Sequence, residues 1–173
     1  MTTQQPLSIT DKRRVALAYD GSEDASKLFD WSIKNIINPA TDHLILLSAV
    51  THHEKPLVGK TDEKVLPMLS TTVTKVDEAI EKSQSHPEGK TVQERLQAMS
   101  AHLRTLHISS EEHILFGEPK TLIPRFTQHH PVDLLIVGSR GLGAVKSVIL
   151  GSVSDRCIHE CPCPVLVVRN ATI

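Results

Sequence analysis

The 173 residues, 39% of them hydrophobic, suffice for one domain with a sizeable core. With 19 basic residues against 20 acidic, a formal net charge of −1 and only 3% aromatics, the chain has neither the basic surface that nucleic acid or a membrane attracts nor a base-stacking platform. No apolar run approaches the roughly 20 residues that span a bilayer, and the start, Met1 to Pro6, lacks a signal peptide's apolar core, so a cytoplasmic or nuclear protein is expected.

Residues 1–11 are polar and read as a flexible tail, leaving 12–173 as a single domain. Arg14 to Tyr19 is a short apolar strand. Gly21, Ser22, Glu23 and Asp24 then form a turn and helix cap, and Ala25, Leu28, Phe29, Ile33, Ile36 and Ile37 follow at helical spacing until Asn38-Pro39. His43 to Val50 is the second strand. From Lys55 to Ser85, the positions of Val65, Leu69, Val73, Val76 and Ile80 predict an amphipathic helix, broken at Ser85 to Gly89. A second helix carries Val92, Leu96, Met99, Leu103 and Leu106. This extended helical crossover, about 51–110, is read as a surface elaboration without chemistry in preference to a lid or partner-binding face.

Leu115-Phe116 closes the third strand, and after Glu118-Pro119 a helix runs through Leu122, Ile123 and Phe126 to His129. Leu134 to Val137 is too short and apolar for a surface helix and reads as a buried fourth strand ending at Gly138. A helix from Ser152 and a fifth strand, Pro164 to Arg169, complete a β/α alternation. Such alternation predicts a three-layer α/β/α fold around a parallel sheet.

The fourth strand runs into Gly138, two residues, Gly141, nine residues, then Gly151-Ser152. Glycine lets a ligand approach the backbone, and the start of a helix presents unpaired N–H groups to an anion. Ser152 with Asp155 fits a capping box, and Arg140 and Lys146 add positive charge. The Walker loop is excluded because Val145 stands where it requires glycine before Lys146-Ser147. The dinucleotide fingerprint is excluded because Lys146 occupies the place of its third glycine. Ser152 and Asp155 also fit a helix cap with no ligand, and Asp20-Gly21 an ordinary turn pair.

Three cysteines, an odd number, argue against a disulfide scaffold. Cys157, His159, Cys161 and Cys163 lack a second ligand pair at finger spacing, so a rigid connection through Pro162 and Pro164 is preferred to a metal site. The Cys161/Cys163 pair is open to oxidation. The adjacent pairs His52-His53 and His129-His130 read as solvated surface.

The glycine spacing, flanked by Asp133 to Val137 before and Cys161 to Val168 after, closely resembles the nucleotide-binding signature of the universal stress protein family. Val15 to Asp24 resembles that family's first strand and turn, Leu44 to Val50 its second strand, and His113 to Pro119 its third strand and exit. The resemblance implies a five-stranded parallel sheet of order 3-2-1-4-5, Rossmann-like and of the adenine nucleotide alpha hydrolase type. In that order Asp20 and Gly138 meet at the switch point. It also implies ATP or another adenine nucleotide, with or without Mg²⁺, as ligand. Ala18 and Tyr19 would line the base pocket, Asp20 contact the nucleoside, Ala49 read the adenine edge and Gly138 lie under the ribose. Gly141, Gly151, Ser152, Val153 and Ser154 would hold the phosphates, with Arg140 beside them.

Glu23 and Asp24 occupy the positive end of the first helix and would repel phosphate there. No second acidic residue near the motif, beyond Asp20 and Asp155, offers a base or metal ligand, so regulation by nucleotide binding is expected rather than turnover. At most the resemblance implies weak hydrolysis or phosphorylation at Ser152 or Ser154. The alternatives are a nucleotide-independent scaffold of the same fold and an ATP pyrophosphatase-like enzyme, whose phosphate loop Asp20 to Asp24 lacks. Family members pair the last strand, here Val165 to Val168, across a twofold axis, which implies a homodimer.

Overall fold

A computed structural model describes residues 7–51, 70–72, 87–139 and 150–169. The elements are β1 (Arg13–Ala18), α1 (Glu23–Asn35), β2 (Asp42–Val50), β3 (Ser70–Thr72), α2 (Pro87–Thr105), β4 (Ser109–Phe116), α3 (Pro119–His129), β5 (Leu134–Gly138), α4 (Ser152–Glu160) and β6 (Val165–Val168). Ile9–Asp11, within the expected tail, makes a single 3-10 turn.

Five strands are parallel. β1 pairs with β2 from Arg13↔Asp42 to Ala18↔Leu47 and with β5 from Val15↔Leu134 to Leu17↔Ile136. β4 extends the sheet beside β2, and β6 beside β5. Counted among themselves these five take the order 3-2-1-4-5. A short antiparallel strand, β3, lies outside β4 and completes the order β3-β4-β2-β1-β5-β6 among the described residues.

The parallel strands read as apolar runs because both faces are covered. Val15, Leu17, Leu44, Leu46, Ile114 and Ile136 point to the side of α1 and α2, where Leu28, Phe29, Leu96 and Leu103 meet them. Ala16, Ile45, Leu47, Leu115, Leu135 and Val137 point to the side of α3 and α4, against Ile123, Phe126 and Cys157. Alternate residues of each strand thus serve opposite cores, each buried Leu, Ile or Phe contributing about 1.5–3 kcal/mol.

The crossover differs from the sequence reading. Ser70–Thr72 is strand where a helix is predicted, because β4 offers these residues an edge to pair with; the rest of the predicted Lys55–Ser85 helix lies outside the described residues. α2 starts at Pro87, inside the predicted break, since proline is tolerated in a helix's first turn. With Leu96 and Leu103 fully buried, α2 is a core helix and not a surface elaboration. Leu106 falls beyond its end. There Ile108 N–H donates to the Leu103 carbonyl and His107 N–H to that of Arg104, both within 3.1 Å, with His107 at φ 58°. That is a Schellman stop with histidine in the place usually given to glycine.

β4 begins at Ser109, earlier and more polar than its apolar half suggests. Glu111 is neutralised by Arg14 of β1, while His113 and His43 approach its carboxylate at 3.4 and 3.6 Å. His113 and His43, then Arg14, hold the Glu111 carboxyl far below the usual carboxylate range against the opposing pull of burial. His130, expected on the solvated surface, is half-buried and stacks on Phe126 at 4.0 Å. His129 is exposed, and His52-His53 lies outside the described residues.

Candidate nucleotide site

β1 leads into α1 on one face of the sheet, and β5 leads towards α4 on the other. The chain therefore parts at the carboxyl ends of β1 and β5, the switch point at which doubly wound sheets bind ligands. Continuing the β1–β5 register two places beyond Leu17↔Ile136 brings Tyr19 level with Gly138 and Asp20 just past it.

The Asp20 side is a tight turn. Asp20 Oδ1 accepts from the Ser22 hydroxyl at 2.6 Å and from the Ser22 N–H at 3.0 Å, and the Ser22 Oγ accepts from the Ala25 N–H at 3.0 Å. One serine thus caps α1 and orients the exposed Asp20 carboxylate. Gly21 makes the turn at φ +81°, a conformation that side chains resist. Its carbonyl accepts from Arg95 Nη1 of α2 at 3.2 Å. Tyr19 is anchored by its N–H to the Leu47 carbonyl at 2.7 Å and by its hydroxyl, 3.3 Å from that of Ser26. Ala18 and Ala49, both half-buried, sit on adjacent strands at the same edge of the sheet.

The glycine side is clasped by backbone. Ser139, directly after Gly138, donates its N–H to the Val168 carbonyl at 2.9 Å, and its own carbonyl accepts from Gly151 N–H at 2.7 Å. The end of β5 and the start of α4 are thus held together, while Arg140, Gly141 and Lys146, expected between them, lie outside the described residues.

α4 does not start as the capping box predicts. Gly151 is the N-cap, with φ −76° and ψ 155°, and Ser152 is already the first helical residue. Glycine has no side chain with which to cap, so the N–H groups of Ser152, Val153 and Ser154 gain no partner from it and have none within the helix. Asp155, the other half of the expected box, lies 3.7 Å from His159 one turn on. Ser154 is 1% exposed and its hydroxyl donates to the Gly151 carbonyl at 2.9 Å, whereas Ser152 is exposed.

The turn and helix cap expected at Gly21 to Asp24 are made by Ser22, whose added hold on Asp20 follows from the Asp-Gly-Ser order of an Asx turn. Sequence reasoning missed Ser139 and Arg95; Arg95 is 74 positions from Gly21, a distance no local pattern reports. Among the described residues no group of three His, Cys, Asp or Glu side chains is placed to hold a metal ion, and no helix is long and apolar enough to cross a membrane.

The profile of the universal stress protein family matches residues 12–169. The chain belongs to this family. A stretch of 64 residues is 44% identical to a Staphylococcus haemolyticus protein assigned to the universal stress proteins, covering 36% of this chain and 39% of that relative. The chain thus spans about two fifths of the length of the curated relatives it matches. The universal stress protein UspA from Lactobacillus plantarum superposes with a TM-score of 0.67 at 20% identity, over 91% of this chain and 97% of that one. A universal stress protein family protein from Arabidopsis thaliana, solved with AMP bound, superposes with a TM-score of 0.57 at 19% identity, over 91% of each chain. Both have the fold described above, that of a universal stress protein.

Proposed function

We propose that this universal stress protein is a cytoplasmic regulator that binds an adenine nucleotide, ATP in particular, at the carboxyl ends of β1 and β5. The observation that carries this reading is the clasp of Gly151 to Ser139, which sets the uncapped start of α4 beside Gly138 and next to the Asp20 turn. A phosphate would accept from the backbone N–H groups of Ser152, Val153 and Ser154, joined by the exposed Ser152 hydroxyl and by Gly141 and Arg140. The Ser154 hydroxyl is engaged with Gly151 and would contribute only its backbone. Asp20, held by Ser22, would accept from a ribose hydroxyl, and Gly138 leaves room for the sugar. The base would lie against Ala18 and Tyr19, with the Ala49 backbone at its edge. The AMP bound to the Arabidopsis relative agrees with this ligand class. Mg²⁺ would enter held mainly by nucleotide phosphates, as it commonly is. Among the described residues of the site, no carboxylate beyond Asp20 and Asp155 offers a general base, so binding rather than turnover is the proposed activity.

The test is to denature freshly purified protein, identify released nucleotide by chromatography and mass spectrometry, and titrate emptied protein with ATP and Mg²⁺ by calorimetry. An adenine nucleotide released or bound supports the proposal; neither would leave a nucleotide-independent scaffold. Gly151→Val, which places a branched side chain against the phosphates, is expected to abolish binding while the far-ultraviolet spectrum is kept. Unchanged affinity would place the phosphates elsewhere.

A further inference from the structure

The cysteines stand apart from the nucleotide site, at the other end of α4. Cys157 is fully buried among the residues beneath α3 and α4. Cys161 is the helix's C-cap one turn later, half-buried, and its N–H donates to the Cys157 carbonyl at 3.0 Å. Residues so related have Cα atoms about 6 Å apart. A disulfide accepts roughly 4.4–6.8 Å. Cys163 follows across Pro162 and is also half-buried. We propose that Cys157 and Cys161 form a dithiol that a hydroperoxide converts reversibly to a disulfide, with Cys161 as the attacked thiol and Cys157 as the thiol that resolves it.

The two thiols act on each other, which separates their roles. The Cys157 thiol keeps its proton and is pushed far up by its neighbour Cys161 and by burial. Cys157 in turn draws the Cys161 thiol down to about 7, against burial and the charge of Glu160. Burial pushes Cys163 up. Cys161 is thus the thiol that is both reachable and ionised near neutrality, the combination that governs reactivity.

In the first step the Cys161 thiolate attacks one peroxide oxygen and the O–O bond breaks. The departing oxyanion takes up a proton, leaving Cys161 as a sulfenic acid. In the second, the Cys157 sulfur attacks the Cys161 sulfur, the S–S bond forms and the S–O bond breaks. The hydroxyl leaves as water with the Cys157 proton. With hydrogen peroxide, two thiols and one oxidant give one disulfide and two waters, the thiols losing the two electrons that reduce the peroxide.

The experiment treats the reduced full chain with a few equivalents of hydrogen peroxide, blocks remaining thiols, and digests with trypsin and a glutamate-specific protease. Cleavage after Arg156, Glu160 and Arg169 separates Cys157–Glu160 from Cys161–Arg169. The expected product is these two peptides joined, two hydrogens lighter than their sum and separated by reductant. The thiol titre should fall from the three of the sequence to one. Cys163→Ser is expected to keep the joined species and Cys161→Ser to lose it; both positions are half-buried, so neither variant empties the core. The proposal is overturned if the mass loss lies wholly within Cys161–Arg169, if Cys163→Ser abolishes the link, if Cys161 becomes a sulfinic acid while Cys157 stays reduced, or if all thiols survive.

Discussion

Ser22 and Ser152 both stand at the start of a helix, and only Ser22 caps one. Ser22 Oγ accepts from Ala25 N–H and also donates to Asp20, so its loss removes a cap and one of the hydrogen bonds that hold the Asp20 carboxylate. Ser22→Ala is expected to cost about 1 kcal/mol of stability, read by urea unfolding, and to weaken ATP binding as well. Ser152 is exposed and Gly151, not Ser152, holds the N-cap position, so Ser152→Ala should change stability by less than about 0.5 kcal/mol. Its ATP affinity should nevertheless fall about fivefold, the worth of one hydrogen bond of about 1 kcal/mol. Equal affinity in calorimetry would remove the Ser152 hydroxyl from the phosphate contacts. The glycines suggest a phosphate loop by spacing alone, which needs no tertiary information. That Gly151 and not Ser152 takes the cap was not legible, because either residue suits that position.

α2 ends on His107 at φ 58°, an exposed histidine in a conformation that costs an L-residue about 1–2 kcal/mol. His107→Gly should relieve that strain, offset in part by the greater freedom of an unfolded glycine, for a net gain of up to about 1 kcal/mol. Thermal unfolding checks it, and a lower midpoint would contradict the stop described here. At the amino end of the sheet, Arg14, His43, Glu111 and His113 tie β1, β2 and β4 together. Unfolded, Glu111 titrates near 4.5, and folded, well below that. A group whose folded pKa is depressed stabilises the protein fully above its unfolded value, and that stability drains away as the pH falls through the folded one. Glu111→Gln should therefore be less stable at neutral pH and lose less stability than the wild type between about pH 5 and 3. Parallel denaturant curves of the two proteins across that range would refute the assignment. This cluster also explains which strands were legible. β1, β2 and β5 announce themselves by apolar residues that fill two cores. The first half of β4 is polar because Arg14, 97 positions away, neutralises Glu111, and β3 is three polar residues with no period to detect.

At the scale of the molecule the sheet order was readable from the family signature, whereas the burial of α2 was not, since an amphipathic stripe does not say what covers it. The last strand pairs with β5 on one side, and Val165, Leu166 and Val167 are half-buried. We propose a homodimer through this strand, the usual remedy for an open apolar edge. Light scattering should give twice the chain mass at micromolar concentration, and the unfolding midpoint should rise with protein concentration. A stable monomer at that concentration would end the proposal. The opposite margin of the sheet is different in kind. There, among the described residues, β3 runs antiparallel along β4 from Ser70↔Leu115 to Thr72↔His113 and covers that part of the β4 edge. A sheet able to recruit strands at both margins can polymerise without limit; one that can do so at a single margin is consumed by its first twofold partner. In the proposed dimer the crossover strand would act as a chain terminator, confining growth through the sheet to a pair.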